Sequence, residues 1–121
     1  MKLEETTILQ LRQVYRKIWR HPGVYHFPQL REHCVGIEVS AGGLALTDGN
    51  VSVPVWSRTV PGTVAQVEWR RCWVPRMRFR RLLDRPDALV SVQIHPDSEC
   101  EIRIGTARLV FFSVARFLVD L

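Results

Sequence analysis

Two groups of basic residues stand at helical spacing in this sequence. In the first, Arg12, Arg16 and Arg20 recur every four residues, which places them on one helix face with Lys17 beside them. In the second, arginine fills most of segment 76–81. Guanidinium groups bind phosphate oxygens through charge and paired hydrogen bonds. The sequence therefore predicts two helical surfaces suited to a polyanion, formed by Arg12, Arg16, Lys17 and Arg20 and by Arg76, Arg78, Arg80 and Arg81.

Composition and charge favour a globular domain with an anionic partner. The chain of 121 residues is 46% hydrophobic and 24% charged, as in ordinary folded domains, and its length fits one domain over residues 1–121. Its formal net charge is +5, and Lys2 and Lys17 are its only lysines. An excess of positive charge is evidence about binding partners and not about the fold, and it favours nucleic acid or another polyanion.

Residue types that carry catalysis or bind metals are not arranged for either task. The chain has no glycine-rich phosphate loop, no nucleophile elbow and no paired carboxylates with a matching base. Cys34, Cys72 and Cys100 lack C-x-x-C spacing, and no histidine pair has ligand spacing. We therefore expect no enzyme activity, no metal site and no cofactor.

Signals for membrane insertion and for secretion are weak in this sequence. No apolar run approaches the ~20 residues that a membrane span needs, and the N-terminus has no apolar signal core. An odd number of isolated cysteines argues against a disulfide framework. We expect a cytoplasmic, reducing location and no contact with a membrane.

The two basic groups lie on predicted amphipathic helices. Thr7 and Gln10 have the spacing of a capping box, and apolar residues recur from Ile8 to Trp19, which predicts a helix over about 8–20. Within 74–86, Pro75 suits the first helical turn and Pro86 ends the helix. Its narrow apolar side is formed by Phe79, Leu82 and Leu83.

Most of the remaining chain has the period of strands. Alternation at Val35, Ile37 and Val39 predicts a half-buried strand, Asp48-Gly49-Asn50 predicts a hairpin, and Pro54 indicates an edge strand or a bulge. Residues 22–31 are expected to form a loop. Further strands are predicted at 2–6, 44–47, 51–55, 64–74, 90–94, 102–104 and 109–114.

The tryptophans can be read in two ways. Exposed indoles stack on the bases of single-stranded nucleic acid, whereas buried ones supply apolar area to a small core. Trp19 and Trp69 lie on apolar sides and are expected in the core, while Trp73 is the candidate for exposure.

The order of elements indicates an internal duplication. A strand, a basic helix and three strands over about 1–62 are followed by the same order over about 63–121. We therefore predict an α+β domain built from two pseudo-symmetric βαβββ halves, with both helices on one face of antiparallel sheet.

This pattern resembles a single domain of the bacterial DNA polymerase sliding clamp. The matching residues run from Val74-Pro75 through Phe79, Leu82-Leu83 and Pro86 to Val90-x-Val92, Ile102-x-Ile104-Gly105 and Arg108-Leu109-x-Phe111, with Val35–Leu46, Thr47 and Asp48 similar to the clamp's central hairpin.

The resemblance implies a function in DNA replication. Clamp helices line a ring and meet the phosphates of encircled duplex DNA without reading bases, and here the eight basic residues named above would make those contacts. Clamp rings contain six such domains, usually two or three per chain, and this chain supplies one. We therefore expect self-association through sheet edges as a homo-oligomer. The alternative is an interaction module of the same fold that binds an acidic protein or a clamp-related replication or repair partner.

Overall fold

The computed structural model describes residues 4–20, 28–58, 69–95 and 99–111. Within these residues the protein is an α+β fold of two antiparallel four-stranded sheets and three helices, which confirms the α+β class. The elements are β1 (Glu4–Thr7), α1 (Ile8–Trp19), α2 (Pro28–His33), β2 (Cys34–Ser40), β3 (Gly43–Thr47), β4 (Ser52–Ser57), β5 (Arg70–Pro75), α3 (Arg76–Leu83), β6 (Leu89–Ile94), β7 (Cys100–Ile104) and β8 (Ala107–Phe111).

Strands from distant parts of the chain share each sheet. Sheet A has the order β1-β6-β7-β8, and sheet B has the order β4-β3-β2-β5. The first strand of the chain therefore pairs with β6, and β5 pairs back with β2. Pro54 lies in β4, which has a single partner among the described strands, beside a register shift between Leu44 and Ala45, as its missing N–H predicts.

One hydrophobic core joins both sheets to α1 and α3. Its largest fully buried side chains include Phe79 from α3, Ile8 from α1, Leu44 from sheet B and Phe111 from sheet A. The sheets also touch along their edges. Trp56 Nε1 on β4 donates to a β1 carbonyl at 3.0 Å, and the thiol of Cys72 on β5 donates to a β8 carbonyl at 3.8 Å.

The two predicted helices form close to their expected bounds. Thr7 caps α1 by accepting a hydrogen bond from the Gln10 amide at 3.1 Å. The second helix is shorter than the predicted segment. Pro75 ends β5 and is the N-cap of α3 rather than part of its first turn, and the helix ends at Leu83, before Pro86.

The prediction of a loop over 22–31 is wrong for its last residues, because α2 begins at Pro28. Leu30 of α2 is buried against Cys34 and Trp73, and Arg31 Nε pairs with Asp48 Oδ2 at 3.2 Å. Tertiary contacts thus stabilise a helix that is too short to form by itself.

The prediction that the 35–39 strand is half-buried is also wrong, because β2 is buried along its whole length. Its outward-facing Gly36 lies under the Trp73 ring, where an added Cβ would come within 3.0 Å of the ring. Glu38 lies on the same side and accepts hydrogen bonds from Arg71 Nη2 at 2.9 Å and Ser52 Oγ at 2.5 Å. Aromatic and ion-pair contacts therefore cover the outer face of sheet B.

The tryptophan predictions have mixed outcomes. Trp69, expected in the core, is 45% exposed. Trp19 is partly buried against the core, and Trp73, expected to be exposed, is partly buried. The predicted strand segments 2–3, 64–68 and 112–114 lie outside the described residues. In the described part of the chain no helix has the length and apolar character to cross a bilayer.

Candidate nucleic-acid interface

The helices α1 and α3 lie side by side and run in opposite directions. Arg12, near the start of α1, donates to the carbonyl oxygen of Leu83 at the end of α3. In mid-helix, the rings of Tyr15 and Phe79 lie 5.9 Å apart. Arg76 at the start of α3 donates to the Tyr15 hydroxyl at 2.6 Å. These contacts follow opposite orders along the two helices, so the helices pack antiparallel and their basic residues lie on neighbouring elements.

An aromatic stack fixes the last turn of α1. The rings of Tyr15 and Trp19 stack at 4.5 Å and 17°. The Arg76 guanidinium carbon lies 5.8 Å from the first ring centroid and 5.4 Å from the second. Trp19 Nε1 donates to the Arg31 carbonyl at 3.2 Å, which ties this end of α1 to α2. Cation–π and hydrogen-bond contacts therefore hold three helices in fixed relation.

Two of the eight predicted DNA-binding residues hold the helices together. Arg12 donates from Nε at 3.0 Å and from Nη2 at 2.7 Å to the Leu83 carbonyl, and from Nη2 at 3.1 Å to the Arg85 carbonyl. It thus satisfies carbonyls that the end of a helix leaves without partners. Arg76 is engaged by Tyr15 and Trp19 as described above. Sequence reasoning missed this structural use, because the contacts join residues more than sixty positions apart.

Five of the predicted residues form what we call the basic helix surface. Their side chains are exposed, and none makes a hydrogen bond or an ion pair with another described residue. Neither helix contains an acidic residue, and the closest acid in sequence is Asp84, the C-cap of α3, which makes no ion pair with the five. A surface that mixed both signs would have offered them acidic partners. The basic helix surface consists of Arg16, Lys17, Arg20, Arg80 and Arg81.

Arg78 is exposed but lies at the side of α3 that faces sheet A. Its guanidinium carbon is 4.6 Å from the centroid of the buried Phe111 ring on β8. We therefore place it at the margin of the interface.

Sequence reasoning also missed a second group of arginines. Arg103 and Arg108 gather around the buried Glu101 on sheet A, where His95 joins them. The signal was present, because Glu101 and Arg103 are two residues apart on a strand and so share a face. The hairpin at Gly105, which has a φ of 58°, brings Arg108 opposite Arg103.

The cysteines are poorly suited to nucleophilic chemistry. All three are buried, and none forms a disulfide bond. Burial raises the pKa of the Cys34 thiol to about 11. A hydrogen bond with Cys72, together with burial, raises the pKa of Cys100 far above its ordinary range. Thiols held protonated in this way are weak nucleophiles and weak metal ligands.

Comparisons of the chain with protein-family models, with curated proteins and with solved structures found no significant match. The relationship to sliding clamps therefore stays a prediction that rests on sequence and strand order.

Proposed function

We propose that this protein contacts the phosphate backbone of duplex DNA, without sequence preference, through the basic helix surface. The observation that carries the proposal is the group of five exposed basic side chains on two adjacent antiparallel helices, none of them paired with an acid in the described residues. Phosphate contacts position a protein on DNA and carry no sequence information.

The physics of such a surface fits a contact that can move along DNA. Long side chains without fixed partners can exchange one phosphate for the next at little cost, whereas base contacts would hold the protein in one register. Counterion release makes binding salt-dependent, with a slope of about −0.9 per phosphate neutralised. If each of the five side chains meets one phosphate, log K should fall with log salt concentration at a slope of about −4.5.

The proposal includes the two pseudo-symmetric βαβββ halves of a clamp-like domain, and the strand order supports this arrangement. Written from the strand that precedes each basic helix, sheet A reads β1-β6-β7-β8 and sheet B reads β5-β2-β3-β4. The helix-capping residues occupy matching registers, with Thr7 opposite Leu89 and Pro75 opposite Cys34. The short helix α2 departs from this symmetry, since the α3–β6 connection is a few residues long and contains no helix.

Self-association through sheet edges is part of the proposal. The strands β4 and β8 each have a single partner among the described strands, and the printed contacts of their edges with the other sheet are made by the side chains of Trp56 and Cys72. Strand edges with one backbone partner can pair with another chain. Light scattering over a wide concentration range, with and without duplex DNA, tests this directly. A mass equal to one chain throughout would refute oligomerisation while leaving DNA contact open.

Binding of a labelled duplex tests the proposed contact. We expect binding at low salt that weakens steeply toward physiological salt and does not depend on sequence. The double charge reversal Arg16→Glu with Arg80→Glu should abolish binding and leave the melting temperature within a few degrees, because both side chains are exposed and without described partners. The control Arg58→Glu, outside the helices, should cost far less affinity than Arg16→Glu alone. Absence of binding at low salt would refute the proposal.

An acidic protein is the second candidate partner. Met77 on α3 is 66% exposed within the arginine-rich helix, and apolar side chains of this kind favour a protein surface over a phosphate backbone. Met77→Ala should leave duplex binding unchanged under our proposal. A large loss of partner binding in Met77→Ala, together with no affinity for DNA, would favour the second candidate.

A further inference from the structure

Three basic side chains surround one buried carboxylate on sheet A. The Glu101 side chain is 3% exposed, although it lies on the outer face of β7. Its Oε1 accepts hydrogen bonds from Nε of Arg108 and from Nε of Arg103, the latter at 3.1 Å. Its Oε2 lies 3.3 Å from His95 Nε2. We call these four residues the Glu101 cluster.

The Glu101 cluster faces away from the two basic helices. The neighbours of Glu101 on β7, Cys100 and Ile102, are fully buried in the core that also contains the apolar sides of α1 and α3. Alternate residues of a strand point to opposite faces, so Glu101 lies on the other side of sheet A. The cluster is therefore separate from the basic helix surface.

The two arginines of the cluster carry more positive charge than is needed to neutralise the Glu101 carboxylate. Arg103 and Arg108 face each other in the β7–β8 register, where like charges repel unless a counter-charge lies between them. The Arg108 hydrogen bond, with those from Arg103 and His95, lowers the pKa of Glu101 to about 2 against the opposing effect of burial. The carboxylate is thus ionised at neutral pH, and the two arginines leave the four residues of the cluster with a formal charge of +1. The next acid along the chain is Glu99, whose carbonyl oxygen accepts a hydrogen bond from the His95 amide.

The two guanidinium groups keep donors directed at solvent. The side chains of Arg103 and Arg108 are 53% and 59% exposed. Arg108 contacts Glu101 through Nε, and its two Nη groups have no partner among the described residues. A guanidinium held at one edge presents its other donors in a fixed geometry that matches two oxygens of a tetrahedral anion.

We propose that the Glu101 cluster is a binding site for a phosphate-type oxyanion. Arg108 donates through its Nη groups, Arg103 supplies the second positive charge, and Glu101 is a positioning residue that fixes both guanidinium planes. Free phosphate monoesters and phosphodiesters share this chemistry, so they must be separated by experiment.

Titration with inorganic phosphate, followed through the Nε–H signals of the arginines by NMR, tests the site. We expect saturable shifts at Arg103 and Arg108. Arg108→Lys keeps the charge but loses the paired donors, so it should weaken binding at least tenfold, while the exposed Arg85→Lys changes nothing. Arg103→Lys gives a second reading if the first variant folds poorly. Shifts that do not saturate, or equal affinity in Arg108→Lys and wild type, would overturn the proposal.

Two further arms identify the source of the anion. A nucleoside 5′-monophosphate that saturates the same signals, with no effect of a dinucleotide phosphodiester, assigns the site to free monoesters. The reverse result assigns it to a nucleic-acid backbone, and no saturation by either ligand counts against the site. Arg16→Glu with Arg80→Glu should bind phosphate as the wild type does, so failure of the helix proposal and failure of this one give different results.

Discussion

The basic helix surface and the Glu101 cluster both expose arginine, but different contacts hold their side chains. On the helices, Arg16 and Arg80 have no described partner. On sheet A, a buried carboxylate fixes Arg103 and Arg108 through hydrogen bonds. Side chains without fixed partners suit a contact that tolerates many positions of a phosphate backbone, whereas fixed guanidinium groups suit one small anion.

A second difference exists within the helices themselves. Arg12 and Arg76 hold α1 against α3, and the exposed basic residues lie on the surface of the helix pair that these contacts join. Arginine spacing alone does not separate these two uses. The geometry of the acceptors does, because a helix-end carbonyl and a tyrosine hydroxyl are fixed partners inside the protein.

The largest expected effect concerns the packing of the two helices that carry the basic helix surface. Phe79 is fully buried in α3 and packs against Tyr15. Phe79→Ala should lower the free energy of unfolding by about 3–5 kcal/mol, because it leaves a cavity where the helices meet the core. Denaturant unfolding measures the loss, with the exposed Met77→Ala as control. Equal stability of the two variants would contradict the described packing.

A smaller effect separates Arg12 from Arg16. Arg12→Ala leaves the carbonyls of Leu83 and Arg85 without their donor, which should cost about 1–3 kcal/mol of stability. Arg16→Ala should change stability by no more than about 0.5 kcal/mol, since its side chain is exposed. Thermal unfolding of both variants checks the difference. If Arg16→Ala lowered the free energy of unfolding as much as Arg12→Ala does, Arg16 would also hold the structure together, which would contradict its description as exposed and unpaired.

The smallest effect appears in acid at the Glu101 cluster. Because the pKa of Glu101 is lowered from the ordinary 4.5 to about 2, its ionised form stabilises the fold fully above about pH 4.5, and this contribution is lost as pH falls toward 2. Glu101→Gln should therefore flatten the acid side of the stability–pH curve. Glu5→Gln, exposed on the same sheet, is the control. An unchanged acid dependence in Glu101→Gln would show that the cluster does not hold the carboxylate.

Local sequence signals predicted much of the helical face. The Thr7 cap, the apolar positions of α1 and the apolar side at Phe79, Leu82 and Leu83 all form as expected, because each depends on residues a few positions apart. The prediction of an edge strand or a bulge at Pro54 is confirmed by the register shift opposite it, since a missing N–H is a local property.

Features that depend on distant parts of the chain could not be predicted in this way. The helix α2 depends on Leu30 and Arg31 reaching Trp73 and Asp48, and β2 is covered by residues from β4 and β5. The pairing of β1 with β6 joins residues more than eighty positions apart, so no local period reveals it. The Glu101 cluster could not be predicted because it depends on the β7–β8 register, which places Arg108 opposite Arg103.

Salt dependence of duplex binding is the most direct measurement of what the basic helix surface does. Arg16→Gln with Arg80→Gln should reduce the magnitude of the slope of log K against log salt by about 1.8, which corresponds to two phosphate contacts. Arg58→Gln with Arg71→Gln removes the same charge at sheet B, away from both the helices and the Glu101 cluster, and should leave the slope unchanged. Equal reductions in the two double variants, or no reduction in the helix variant, would contradict a DNA contact at the basic helix surface.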